Sequence, residues 1–215
     1  MVILASASPR RQMLLSLLGL DYEVLPSEID ETRLDGESPV DYVLRLANAK
    51  SLAAARLVSP EDMVIGADTA VVDGSDILGK PEDAAQAEAM LERLRGRAHL
   101  VYSGLSVRYG GGEKLLTDWC VTQVVMREYS RREIRTYIES GDPLDKAGAY
   151  AIQHTSFDPV ERITGCFANV VGLPLCHLAD LLRKIGLPPA NDVTANCRAG
   201  LGYACQLVET ILKNA

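Results

Sequence analysis

Val2-Ile3-Leu4-Ala5-Ser6-Ala7-Ser8-Pro9-Arg10-Arg11 opens the chain with a short apolar strand, a turn of small residues and the first turn of a helix. Ser8 reads as the N-cap and Pro9 as the first helical residue, with Met13, Leu14, Leu17 and Leu18 following at helical spacing. Arg10 and Arg11 therefore fall where the helix dipole disfavours basic side chains. Two readings are open at this turn. The arginines are either solvated on a capped surface helix, or they complete a phosphate site with free backbone N–H groups and the Ser6 and Ser8 hydroxyls.

The rest of the chain narrows the choice. Its 215 residues suit one large or two small lobes, and 47% hydrophobic with 24% charged residues is ordinary for a globular protein. No apolar run approaches the roughly 20 residues of a membrane helix, and the N-terminal stretch is too short for a signal peptide, so a cytoplasmic location is expected. A formal charge of −7 argues against broad nucleic-acid binding, and a polyphosphate substrate would need local cations or a bound metal. Cys120, Cys166, Cys176, Cys197 and Cys205 form no CxxC pair and no zinc-like grouping with His99, His154 and His177, which reads as reduced, packed thiols.

Tyr22-Glu23-Val24-Leu25 predicts a short strand leading into the acidic loop Ser27-Glu28-Ile29-Asp30-Glu31. Ser38-Pro39 repeats the cap-plus-proline start and opens a long helix to about Val58, whose stripe of Val43, Ala47, Lys50, Ala54 and Leu57 carries a lysine in its middle. That lysine either snorkels to water or delivers a cation into a cleft. Met63 to Thr69 reads as a buried strand ending in a carboxylate and a hydroxyl, the place where open α/β sheets meet their ligands; Ala70-Val71-Val72 continues extended and Gly74-Ser75-Asp76 turns. Leu78-Gly79-Lys80-Pro81 brings in a second lysine before a helix over 83–95. His99–Tyr109 and Leu115–Met126 predict a hairpin around three glycines, and Ser130 caps a short helix. Asp145 to Gln153 is a small-residue stretch that a ligand can approach closely, and a further helix spans about 175–184. Pro188-Pro189 ends the organised pattern, with a helical patch near Tyr203 to Leu212 that would dock on the body or pair with another subunit.

Arginines at a helix start, an acidic loop, a stripe lysine, a strand Asp-Thr pair and a loop lysine together suggest phosphoryl chemistry, because carboxylates hold Mg²⁺ through its substrate's phosphates while cations neutralise the remainder. There is no P-loop, no dinucleotide GxGxxG and no serine-hydrolase elbow. The stretches ASASPRR, EIDE, LANAK, IGADT, LGKP, DPLDKAGAYAIQ and NVVGLPL, in this order over residues 1–185, resemble the Maf family of nucleoside triphosphate pyrophosphatases. The resemblance implies an α/β fold, a mixed curved sheet with flanking helices and two lobes around a central cleft. It also implies a commonly dimeric protein and metal-dependent release of pyrophosphate, with Mg²⁺ or Mn²⁺ as the divalent cation. It makes Asp68 the proton acceptor, Glu31 and Asp68 the metal ligands, and Lys50 and Lys80 phosphate contacts; Ser8, Arg10, Arg11 and Lys146 are further candidates for binding the substrate.

Within that family, Arg10, Thr69 and Gln153 resemble the subgroup acting on dTTP and UTP; a subgroup acting on 7-methyl-GTP carries tryptophan, glutamine and glutamate there. A glutamine amide can pair with the adjacent carbonyl and N–H of a pyrimidine. Two departures stand out: the run His154-Thr155-Ser156-Phe157-Asp158-Pro159 replaces the family's glycine-rich turn, and the chain continues past residue 186. The expectation is a Maf-like domain over 1–186 with a C-terminal extension over 187–215. Rival readings are a purine or 7-methyl-GTP pyrophosphatase, a nucleotide-binding regulator of septum formation, and a nucleic-acid module; the last is disfavoured by charge.

Overall fold

The computed structural model describes residues 1–203 and residue 205. One seven-stranded mixed sheet organises them, in the order β2 (Tyr22–Val24), β1 (Val2–Leu4), β3 (Met63–Asp73), β5 (Ala98–Tyr109), β6 (Lys114–Met126), β7 (Val160–Thr164), with β4 (Asp76–Leu78) also on β3. β1 pairs with β2 and β3 in parallel and every other pairing is antiparallel. The predicted hairpin is β5 and β6, and Gly110, Gly111 and Gly112 at its turn all have positive φ, which a side chain would resist.

Helices cover both faces. α2 (Pro39–Ala55) lies across β3 and β5, and two glycines let it approach closely. A Cβ on Gly66 would stand 2.2 Å from the Ala47 carbonyl oxygen, and one on Gly104 would stand 2.5 Å from that of Val43. On the opposite face, α1 (Pro9–Ser16), α5 (Phe167–Val171), α6 (Leu175–Lys184) and α7 (Val193–Leu201) share one apolar core with Ile65, Ala67, Leu105 and Val107. A second core, beneath α3 (Ala84–Leu94) and α4 (Arg131–Glu139), gathers Leu91, Leu94, Val101, Met126, Ile134 and Tyr150.

Ser8, Ser38 and Ser130 cap their helices as the sequence indicates. Two expectations are corrected. The long second helix stops at Ala55 rather than near Val58, and Leu57, placed on its buried stripe, is 73% exposed beyond the cap. As expected, the strand begun at Met63 continues through Ala70-Val71-Val72; it runs to Asp73, with β4 and β5 as its partners. Order does not end at Pro188-Pro189: Asp192 caps α7, accepting from the Thr194 and Ala195 N–H groups, and Gly202 closes it at φ +63°.

The described part of the extension docks on the body. The Ala190 and Asn191 N–H groups bond to the Leu18 carbonyl, and the Asn196 amide to that of Leu17, both at the C-terminal end of α1. All five cysteines, two from the extension, are buried in the core cluster on this side. Apart from Tyr203 and Cys205, the helical patch expected near Tyr203 to Leu212 lies outside the described residues.

The contact at Gly66 sets a measurable constraint. Gly66→Ala forces a methyl group into a backbone oxygen that no rotamer can move, so it should destabilise the fold by roughly 3 kcal/mol or more. Gly36→Ala, at a position with open space but positive φ, should cost about 1 kcal/mol by backbone strain alone. Urea denaturation of the two variants checks the ranking.

Candidate active site

The cleft exists because one edge of β3 is bare in its middle. β1 pairs with β3 only at Met63–Ile65, and β4 pairs only at Val71–Asp73, on that same edge. β5 holds the other edge continuously from Val64 to Val72. Residues 66–70 therefore face a gap, into which the chain leaving β1 turns to start α1. The gap opens into a cleft of about 510 Å³, within the range of small-molecule sites. Alternation along the strand sends Asp68 toward α2 and Thr69 toward α1, yet both line this cleft.

On the α2 side a single ammonium joins two carboxylates. Lys50 Nζ lies 2.6 Å from Asp68 Oδ1 and 2.7 Å from Glu31 Oε1. Lys50 and Asp68 are buried, while Glu31 is exposed on its loop. The loop is tied to α2 at several points: Ser27 Oγ donates to the Lys50 carbonyl, Tyr42 Oη to the Glu31 carbonyl at 3.0 Å, and Arg45 to the Thr32 carbonyl and the Glu37 carboxylate. The two carboxyls are driven apart. Burial pushes Asp68 above the ordinary carboxylate range against the pull of Lys50 and Arg11. Partial burial also opposes ionisation of Glu31, but the Lys50 hydrogen bond and charge, with Lys80 and Arg11, hold it below that range. Burial, with Asp68 and Glu31 nearby, raises the Tyr42 phenol to about 12, so it stays a neutral donor.

On the α1 side Arg11 is a bracket. Its Nε donates to the Gly172 carbonyl at 2.9 Å, Nη1 to Ser6 Oγ at 3.2 Å and Nη2 to Thr69 Oγ1 at 3.1 Å. Thr69 Oγ1 also lies 2.9 Å from Ser103 Oγ, which donates to the Asn169 carbonyl. This buried chain ties β1, β3, β5 and α5 together behind the cleft. Ser103, Gly172 and Tyr42 were not singled out from the sequence; a serine inside a strand and a tyrosine early in a helix carry no local mark of such a role.

The cleft sorts its cations. Arg10 and Lys80 line it with no hydrogen bond or ion pair among the described residues, so their donors are open to a ligand. Ser8 lines it as the α1 cap. Lys146, expected to bind substrate, also borders the cleft, but its buried ammonium is turned into its own turn, donating to the Asp142 carbonyl and to Oδ1 of Asp142 and Asp145. All three of its hydrogens are engaged there. Gln153 departs from its expected place altogether. It is exposed and absent from the cleft lining, on a turn folded by the His154-to-Ala151 and Asp158-to-His154 backbone bonds and by the Phe157 N–H donating to His154 Nδ1.

A divalent cation fits this donor set. Glu31 and Asp68 already converge on one positive charge, the Lys50 ammonium, and both offer the oxygens Mg²⁺ requires. No group of three His, Cys, Asp or Glu able to hold a metal occurs among the described residues. A pair of carboxylates completed by substrate phosphates is the usual arrangement for Mg²⁺.

Residues 1–185 match a family model described as Maf-like protein. A relative from Geotalea uraniireducens named dTTP/UTP pyrophosphatase is 48% identical over 185 residues, covering 86% of this chain and 95% of that protein. One of the same name from Anaeromyxobacter dehalogenans is 46% identical over 189 residues, 87% of this chain and 95% of that protein. Among solved structures, a HAM1 protein from Coxiella burnetii aligns over 100% of this chain and 98% of its own at 15% identity and a TM-score of 0.45, too distant to bear on the site.

The raised Asp68 carboxyl has a testable sign. A group whose folded-state pKa exceeds its unfolded value adds stability that is complete below the unfolded pKa and is lost as pH rises through the folded one. Ionised Asp68 thus weighs on the fold at neutral pH. Asp68→Asn should be at least as stable as the native protein at pH 7, and the native protein should gain on the variant as pH falls through the carboxylate range. Urea midpoints of both proteins across that range measure the crossing.

Proposed function

The chain belongs to the Maf family, and we propose that it is a nucleoside triphosphate pyrophosphatase, a hydrolase acting on acid anhydrides, that converts dTTP and UTP to the monophosphate and pyrophosphate. The observation that carries the proposal is the pairing of a buried, raised carboxyl with a low-lying one across a shared lysine, in a cleft edged by the uncommitted Arg10 and Lys80. Two carboxyls pushed in opposite directions suit two roles, a base and a permanently ionised ligand. The names of relatives at 42% to 48% identity support the pyrimidine substrates.

In this mechanism the Asp68 carboxylate accepts a proton from water as the water oxygen attacks the α-phosphorus. The α-phosphorus bond to the bridging oxygen breaks, and pyrophosphate departs with its charge met by Lys80 and the Arg10 backbone N–H at the start of α1. Glu31 and Asp68 would hold Mg²⁺ or Mn²⁺, which when bound neutralises phosphate charge and acidifies coordinated water. Arg11, through Gly172, Ser6 and Thr69, keeps the α1 turn in register with β3. Base selection is assigned to Arg10 and Thr69, which line the cleft. The proposal includes a homodimer acting in the cytoplasm without nucleic acid, and a catalytic unit over 1–186 to which 187–215 is an extension.

A panel of dTTP, UTP, CTP, GTP and 7-methyl-GTP with Mg²⁺ or Mn²⁺, read by pyrophosphate release, tests the reading. dTTP and UTP should lead, and preference for a purine overturns the substrate assignment. Asp68→Asn should lower kcat by about 100-fold or more with the fold intact. Thr69→Ala should change the dTTP-to-GTP ratio of kcat/KM, whereas Gln153→Ala, outside the cleft, should leave it within about twofold.

A further inference from the structure

We propose that Lys50 is the resident cation of the carboxylate pair, and that a divalent metal enters only with a triphosphate, whose oxygens draw the ammonium away from Glu31 and Asp68. The identity of the triphosphate rests on the pyrophosphatase reading above; the competition between ammonium and metal does not.

Charge and geometry carry the argument. One ammonium, 2.6 Å from Asp68 and 2.7 Å from Glu31, already bridges the two carboxylates. Two negative charges there face Lys50, with Arg11 acting on both carboxylates and Lys80 on Glu31. A free divalent ion therefore meets a site that is already neutralised. It must displace a close-range ion pair without any third protein carboxylate to help, since none is grouped there among the described residues. A triphosphate reverses this balance. Its negative oxygens offer the Lys50 ammonium a second partner, and a flexible four-carbon stem can follow them from a helix whose backbone stays fixed against Gly66 and Gly104. The same lysine then serves twice, as counter-ion to the empty site and as phosphate contact in the filled one.

Binding of Mn²⁺ alone, followed by titration calorimetry and by the electron paramagnetic resonance of the free ion, reads the competition without turnover. The native protein should show no saturable binding below the millimolar range in the absence of nucleotide. It should bind Mn²⁺ when an analogue of dTTP with nitrogen in the α–β bridge is added. Lys50→Met should gain about 10-fold or more in affinity for Mn²⁺ without nucleotide, and Lys50→Arg, which keeps the charge, should gain little. Adding Asp68→Asn to Lys50→Met should abolish the gain. Tight binding by the native protein without nucleotide overturns the proposal, as does a folded Lys50→Met with unchanged affinity. If Lys50→Met does not fold, Lys50→Gln and the native measurement decide the matter alone. Failure to hydrolyse any nucleotide in the panel would instead remove the pyrophosphatase reading and leave these ion-binding outcomes to stand or fall separately.

Discussion

The site depends on how closely α2 lies on the sheet. Gly66 and Gly104 remove the side chains that would hold a helix at ordinary distance, so backbone rests on backbone and Lys50 reaches the floor of the sheet. At normal helix-to-sheet spacing the ammonium would stop short of Asp68, and the buried carboxyl would have to stay protonated. The same approach helps fix the loop bearing Glu31, because Ser27, Tyr42 and Arg45 fasten that loop to α2. One packing contact thus governs the base, its counter-ion and the second carboxylate.

The cations around the cleft divide into those already engaged and those left open. Lys50, Arg11 and Lys146 are satisfied by protein groups. Such residues shape and polarise the cleft, and they change partners only at the expense of an existing bond. Arg10 and Lys80 carry no such commitment among the described residues, so charge brought by a ligand meets them first. A count of basic residues near the site would treat all five alike; their hydrogen bonds separate them.

Local signals were legible in the sequence, and long-range ones were not. The Ser-Pro caps at Ser8 and Ser38, the three-glycine hairpin and the Asp-Thr pair on a buried strand depend on neighbours in the chain, and the structure bears them out. Which strand lies along the other edge of that strand depends on pairing with the distant β5, which no window of residues displays. Arg11 reads as a phosphate contact from its helix turn, while its main acceptor, the Gly172 carbonyl, lies 161 residues away. Lys146 reads as a loop cation, yet the turn around it supplies the carboxylates that absorb it. α7 was hidden by the preceding prolines, although Asp192 as cap and Gly202 as stop were both readable.

The bare edge of β3 has a mechanical consequence. Asp68 and Thr69 sit in a strand laddered to β5 along its whole middle, so their side of the cleft is a rigid jaw. Facing it, Glu31 rides on an irregular segment held to α2 and to the β3–β4 turn by a few side chains, and Lys80 stands on the turn after β4. Neither of these two segments has such a ladder behind it. The protein resembles a vice with one fixed and one sliding face, in which positional accuracy belongs to the base and adaptability to the groups that grip the phosphates.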